Sequence, residues 1–166
     1  MRMLLILASA LLLGFSPLQS PVEQLLDEGY NFYSESQYES AVASFSEALV
    51  LDPTNPEAYL LRGLSYHGLE EVRKSIQDLE KAVELDPGYT EAYQEMGYIY
   101  LVGQAPQEAI TAYDKAIALD PDIAELYVNR GTAKCMLNDS QGATEDWEKA
   151  MALGVAYSEF MVCNDE

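Results

Sequence analysis

Leu51-Asp52-Pro53, Leu85-Asp86-Pro87 and Leu119-Asp120-Pro121 are one tripeptide standing three times, each copy 34 residues after the last. An apolar anchor, then aspartate, then proline is a helix-stop signal, because proline cannot continue a helix. Three such stops at one fixed period make the chain an array of a single supersecondary unit. Working outward from the tripeptides in blocks of 34 gives four units: residues 22–55, 56–89, 90–123 and 124–157. They fall into register without a gap.

Equivalent positions then carry equivalent residues. The fourth is Leu25, Tyr59, Tyr93 and Tyr127, and the eighth is Gly29, Gly63, Gly97 and Gly131. The eleventh is Phe32, Tyr66, Tyr100 and Lys134. The twentieth is Ala41, Ser75, Ala109 and Ala143; the twenty-fourth is Phe45, Leu79, Tyr113 and Trp147. The twenty-seventh is alanine throughout: Ala48, Ala82, Ala116 and Ala150. Positions 4, 8 and 11 share one helical face, as do 20, 24 and 27, so each unit reads as two amphipathic helices. The small residues let the two backbones approach, and the large ones fill the space beside them. Short polar turns such as Ser34-Glu35-Ser36-Gln37 separate the helices, and Asn55-Pro56 reads as a helix cap and first-turn proline.

This pattern resembles the tetratricopeptide repeat family, over nearly all of residues 22–157. The resemblance implies an all-α fold, a right-handed α-solenoid of four helix-turn-helix repeats. It also implies a concave groove lined by the first helices, in which the family usually holds a partner's peptide.

Two departures from the family pattern are informative. Position 7, usually apolar, is Glu28, Arg62, Met96 and Arg130; position 23 is Ser44, Asp78, Ala112 and Asp146. Arginine and aspartate occur together, in repeats two and four. This predicts the ion pairs Arg62–Asp78 and Arg130–Asp146, since a half-buried arginine needs a partner. At the end of the array, Lys134 stands where an aromatic is expected, and Leu153-Gly154-Val155 replaces the tripeptide. Residues 158–166 then read as a short C-terminal cap, with Phe160, Met161 and Val162 covering the last apolar edge. A disulfide between Cys135 and Cys163 would pin that cap, provided their Cα atoms lie within about 7 Å.

Composition narrows the functions. The chain carries 28 Asp and Glu against 9 Lys and Arg, a formal charge of −19. Such a surface repels phosphate, which excludes nucleic acid and anionic lipid as partners and favours basic ones. Solubility alone would also account for it. His67 is the single histidine, so a nucleophilic triad or a zinc site has no residues to use. No enzyme chemistry and no cofactor is indicated. Residues 1–20 read as a secretory signal peptide: Met1-Arg2-Met3, then the uncharged apolar run Leu4–Phe15, too short to span a bilayer. Cleavage near Ser16 or Ser20 is each followed by proline, which is unfavourable. Export to a periplasm or the cell exterior is expected; an uncleaved membrane anchor is the alternative.

Carried over from the family, groove positions 5, 9 and 12 give Leu26, Leu60, Gln94 and Val128; Tyr30, Leu64 and Tyr98; and Tyr33, His67 and Leu101. Position 2 is glutamate in every repeat, including Glu57 and Glu91. The groove thus reads as an apolar and aromatic floor with an acidic rim. Two structural explanations compete. A first-turn glutamate stabilises the helix dipole, and floor residues can pack adjacent first helices together. The cationic clamp that some relatives use against acidic peptide ends is absent, its places held by Leu26, Tyr30, Leu61, Glu91 and Glu95. The expected role is a protein–protein interaction module binding an apolar or aromatic segment with basic flanks. A carrier for a small apolar ligand and a self-associating structural module are the alternatives.

Overall fold

A computed structural model describes residues 19–156 and 161–163. The apolar run at residues 4–15 and Phe160 lie outside these. Among the described residues, regular structure is wholly helical: α1 (Pro21–Ser34), α2 (Tyr38–Leu51), α3 (Pro56–Gly68), α4 (Val72–Leu85), α5 (Thr90–Val102), α6 (Pro106–Leu119), α7 (Ala124–Met136) and α8 (Ser140–Ala152). Consecutive helices pack as antiparallel pairs, each pair stacks on the next, and α1, α3, α5 and α7 also touch in series. This is an α-helical repeat solenoid. None of the described helices is long and apolar enough to cross a membrane.

Helix starts follow local chemistry. Ser20 and Glu23 form a reciprocal capping box on α1, the Ser20 hydroxyl accepting from Glu23 N at 3.2 Å and the Glu23 carboxylate from Ser20 N at 2.7 Å. Asn55 caps α3 through Ala58 N at 2.9 Å, and Asp139 caps α8 through Gly142 N at 2.9 Å. Each cap satisfies an otherwise orphaned first-turn N–H.

The turn inside each repeat is a Schellman stop. In repeat one, Gln37 N donates to Phe32 O at 2.8 Å and Ser36 N to Tyr33 O at 2.9 Å; the same pair of bonds recurs three times at 34-residue spacing. The motif needs one residue in the left-handed region. That residue is Ser36, Glu70, Gln104 or Asn138, with φ of 58–60°, so no repeat uses the glycine that would adopt it freely.

The joint between repeats is the Leu-Asp-Pro tripeptide, and its aspartate does more than end a helix. The Asp52, Asp86 and Asp120 carboxylates accept from the backbone N–H two residues on, at 3.0, 2.9 and 3.1 Å. They fold the exit into an Asx-type turn. At the fourth position of the series, Gly154 (φ 102°) instead closes α8 by the glycine form of the Schellman stop, with Val155 N donating to Ala150 O at 3.1 Å.

The core runs as a line of small and large residues between paired helices. Ala41, Ala48, Ala82, Ala109, Ala116, Ala143 and Ala150 are fully buried, beside Phe45, Leu79, Tyr113 and Trp147. In repeats one, three and four the aromatic ring lies directly on the glycine of the first helix. A Cβ built on Gly29, Gly97 or Gly131 would meet it at 2.5–2.6 Å.

Beyond α8, Met161 is buried with Ala143 and Trp147, and Cys163 forms a disulfide with Cys135 of α7, their Cα atoms 5.5 Å apart. Val162, expected to join the cap, is 52% exposed. Met161 takes the buried place on Trp147, and Val162 beside it in the bend is left to solvent. Lys134 also acquires a role: its Nζ lies 2.9 Å from Asp146, a second cation on that carboxylate.

Candidate functional site

Two hollows lie on the side of the first helices where the sequence places the groove. One, of about 250 Å³, is lined by Leu26, Asp27, Tyr30, Glu57, Leu60, Leu61, Tyr89 and Glu91, from α1, α3 and the start of α5. The other, of about 210 Å³, lies between α5 and α7 and is lined by Gln94, Glu95, Tyr98, Glu125 and Asn129.

The expected site residues divide by exposure. Tyr30 and Tyr98 are large aromatics left 57% and 45% exposed. Glu57 and Glu91 are exposed; Tyr33, Leu64, His67, Gln94, Leu101 and Val128 are half-buried. Leu26 and Leu60 are core residues, Leu60 at 2% exposure. They are packed against neighbouring helices and offer a ligand only an edge. Structure brings His67 of α3 and Tyr98 of α5 together, ring centroids 6.0 Å apart and edge-on. Val128 belongs to the cluster formed with Met161, and Cys135, at the twelfth position, is bonded to the tail. In the fourth repeat the groove positions Val128 and Cys135 are thus engaged with the tail.

The hollows are more acidic than an apolar floor with one acidic rim. Burial pushes the Glu95 carboxyl up, with Glu91 and Glu125 adding to the rise. Burial also pushes Tyr89 up to about 12, followed by the charges of Glu91, Glu57 and Asp86. Tyr113, fully buried behind the second hollow, is raised by burial and by Glu95 and Glu125, and the nearby Asn129 side chain offsets part of the rise. Negative charge thus reaches the floor itself. Tyr89 and Asn129 are site residues that the family positions do not single out, and Glu95 is marked in the sequence only as a place where the family's cationic clamp is absent. Tyr89 sits in the linker, where the other repeats carry Asn55 and Ile123. No cluster of His, Cys, Asp and Glu among the described residues has the makings of a metal site.

Away from the groove, both expected ion pairs are formed. Arg62 Nε and Nη2 donate to Asp78 at 2.7 and 2.8 Å; Arg130 Nε and Nη2 donate to Asp146 at 2.9 and 2.6 Å. Each arginine also reaches the preceding repeat, Arg62 to the Ser46 hydroxyl at 3.2 Å and Arg130 to Asp114 at 2.6 Å.

Comparison with known proteins agrees with this architecture. Residues 29–70 and 107–138 match the TPR repeat family, and residues 56–89 match the family described as tetratricopeptide repeat. The chain belongs to the tetratricopeptide repeat family. No curated protein matches its sequence. Among solved structures, the crystal structure of MamA is similar at a TM-score of 0.76 and 29% identity, over 80% of this chain and 77% of that one. A second crystal structure of MamA protein gives 0.75 and 27%, over 82% and 79%. MamA 41-end from Desulfovibrio magneticus RS-1 gives 0.76 at 18% identity, over 82% and 77%, a likeness of fold alone. As a tetratricopeptide repeat protein, the chain is a protein-interaction module.

Proposed function

We propose that the groove binds an extended segment of a partner protein, with aromatic or apolar side chains flanked by lysine or arginine. The observation that carries this is the pairing of two exposed tyrosines, Tyr30 and Tyr98, with carboxylates in the same two hollows: Asp27, Glu57 and Glu91 in one, Glu95 and Glu125 in the other. An aromatic ring supplies apolar area at little entropic cost, and nearby carboxylates select a basic neighbour. The half-buried Glu95 is the position where an incoming ammonium or guanidinium would gain most, because its charge is poorly solvated.

The test is a fluorescence anisotropy titration with short basic–aromatic peptides and acidic counterparts of the same length. Basic peptides are expected to bind at least about tenfold tighter, and Tyr30→Ala with Tyr98→Ala to weaken them about tenfold, the size of a modest hot spot. Unchanged affinity in the double variant would remove the groove as the site.

Glu95 provides a pH check. Its folded-state pKa is raised above the ordinary glutamate value of 4.5 by burial and by Glu91 and Glu125, so the folded chain holds the proton more tightly than the unfolded one. Stability is therefore lost as pH rises from 4.5 through the folded value. Glu95→Gln is expected to raise the melting temperature at pH 7 and to leave it unchanged below pH 4.5. The same change should weaken basic peptides at pH 7.

We further propose that the protein works outside the cytoplasm. The apolar run at residues 4–15 supports this, as does the Cys135–Cys163 disulfide, a bond that persists in oxidising compartments. Ser20 caps α1, so cleavage at Ser16 would keep the cap and cleavage after Ser20 would remove it. Mass measurement of the exported chain distinguishes the two, and a full-length product would point to the uncleaved anchor.

A further inference from the structure

Repeat three keeps the two tyrosines that flank the arginine of repeat two and lacks the arginine. In repeat two the Arg62 guanidinium lies 5.5 Å from the Tyr59 ring and 6.0 Å from the Tyr66 ring. In repeat four Arg130 lies 5.5 Å from Tyr127. The tyrosines at these positions remain in repeat three, as Tyr93 and Tyr100, but Met96 and Ala112 replace the arginine and aspartate. An open cavity of about 290 Å³ lies there, lined by Tyr93, Met96, Tyr100 and Ala112, with Glu108 and Lys115 among its polar groups.

We propose that this cavity receives an arginine side chain of a partner protein, held between Tyr93 and Tyr100 as repeat two holds Arg62 between Tyr59 and Tyr66. The site lies on the face of α5 turned away from Gln94, Tyr98 and Leu101, so it is a second contact surface, separate from the groove. Chemistry selects the occupant. The two rings attract a cation, and a planar guanidinium stacks on them better than an ammonium does. Met96 and Ala112 offer apolar contact to the three-carbon stem. Countercharge comes from Glu108 and from Glu80 of α4, which occupies the register of Asp114, the residue that binds Arg130. Both carboxylates act on the Tyr100 hydroxyl, whose pKa is raised first by burial and then by them. Neither has a salt-bridge partner among the described residues. Lys115 does not exclude a second cation: its equivalent in repeat four, Lys149, lies 5.8 Å from the Tyr127 ring that Arg130 also occupies. A cavity of this size suits one side chain rather than a drug-sized molecule, and the charge of −19 draws basic partners.

The experiment is an NMR titration of the whole chain in 150 mM salt, with N-acetyl-arginine amide as probe and its neutral citrulline isostere as control. Saturable shifts at Tyr93 and Tyr100 are expected, with the citrulline probe at least about fivefold weaker because it lacks the cation. Met96→Arg with Ala112→Asp installs the pair found in repeats two and four, fills the cavity and is expected to abolish the shifts. Should that variant fail to fold, Tyr100→Leu removes one ring and is expected to weaken the probe at least about threefold. Equal binding of citrulline, shifts that persist in the filled variant, undiminished binding by Tyr100→Leu, or no saturable shift would each overturn the proposal. Tyr30→Ala with Tyr98→Ala should leave these shifts unchanged, which separates failure here from failure of the groove.

Discussion

Repeats two and four differ from repeat three at two positions, and the consequences spread beyond both. Where Arg62 and Arg130 stand, each guanidinium ties the first helix to its own second helix and to the second helix of the preceding repeat. Where Met96 stands, no such tie crosses from α5 to Glu80, and α5 packs on α4 less extensively than α3 on α2 or α7 on α6. One side chain thus does two jobs, closing a repeat and coupling it to its neighbour. The period alone shows the sameness of the repeats, and the difference between them lies in which side chains reach across.

The largest expected effect breaks that tie. Asp146→Ala leaves Arg130, only 17% exposed, and Lys134 without their shared carboxylate, and should cost about 3 kcal/mol in urea unfolding. Transplanting the repeat-three residues instead, Arg130→Met with Asp146→Ala, should recover more than half of the loss, because the guanidinium is gone and the one cation left, Lys134, keeps Gly142 O as an acceptor. A double variant as unstable as the single one would show that packing, not charge, sets the cost.

Next comes the contact of glycine and ring. Gly97→Ala drives a methyl into Tyr113 and should cost about 2 kcal/mol. Gly63→Ala faces Leu79 at 3.2 Å, and its gain in helix propensity offsets much of the crowding, leaving it within about 1 kcal/mol of the parent. Equal melting temperatures for the two variants would mean the rings do not need the glycines.

Smallest is the turn. Gln104→Gly and Glu70→Gly should each raise stability by about 0.5–1 kcal/mol, since both residues sit in left-handed geometry that disfavours a side chain. Asn138→Gly should gain less, asparagine tolerating that region better. Chemical denaturation of the three variants ranks them directly.

Much of this was legible in the residues. A 34-residue period, small residues facing large ones, and an arginine matched to an aspartate sixteen positions on all imply particular contacts, and the helices, the solenoid and both ion pairs follow. The candidate site was harder to read. Position 5 lines a groove in general, yet Leu26 and Leu60 are buried here because adjacent first helices close over them. The acidity of the floor depends on Glu95, which the sequence marks only as a missing clamp cation and not as half-buried, and on Tyr89, which no motif marks. Lys134 looks like a lost aromatic until Asp146 is placed beside it. The cavity at Met96 is legible only as a missing pair, and a missing side chain does not say whether neighbours collapse into its space.

In a stack where each repeat touches only its neighbours, stability is a chain of local couplings and the weakest one decides where the stack divides. Here the loosest junction, α4 against α5, falls at the midpoint. Two doublets result, residues 21–85 and 90–152, each held by its own arginine clamp. The protein is thereby jointed at its centre, and a partner that grips both α3 and α5 from the groove would act as the splint across that joint.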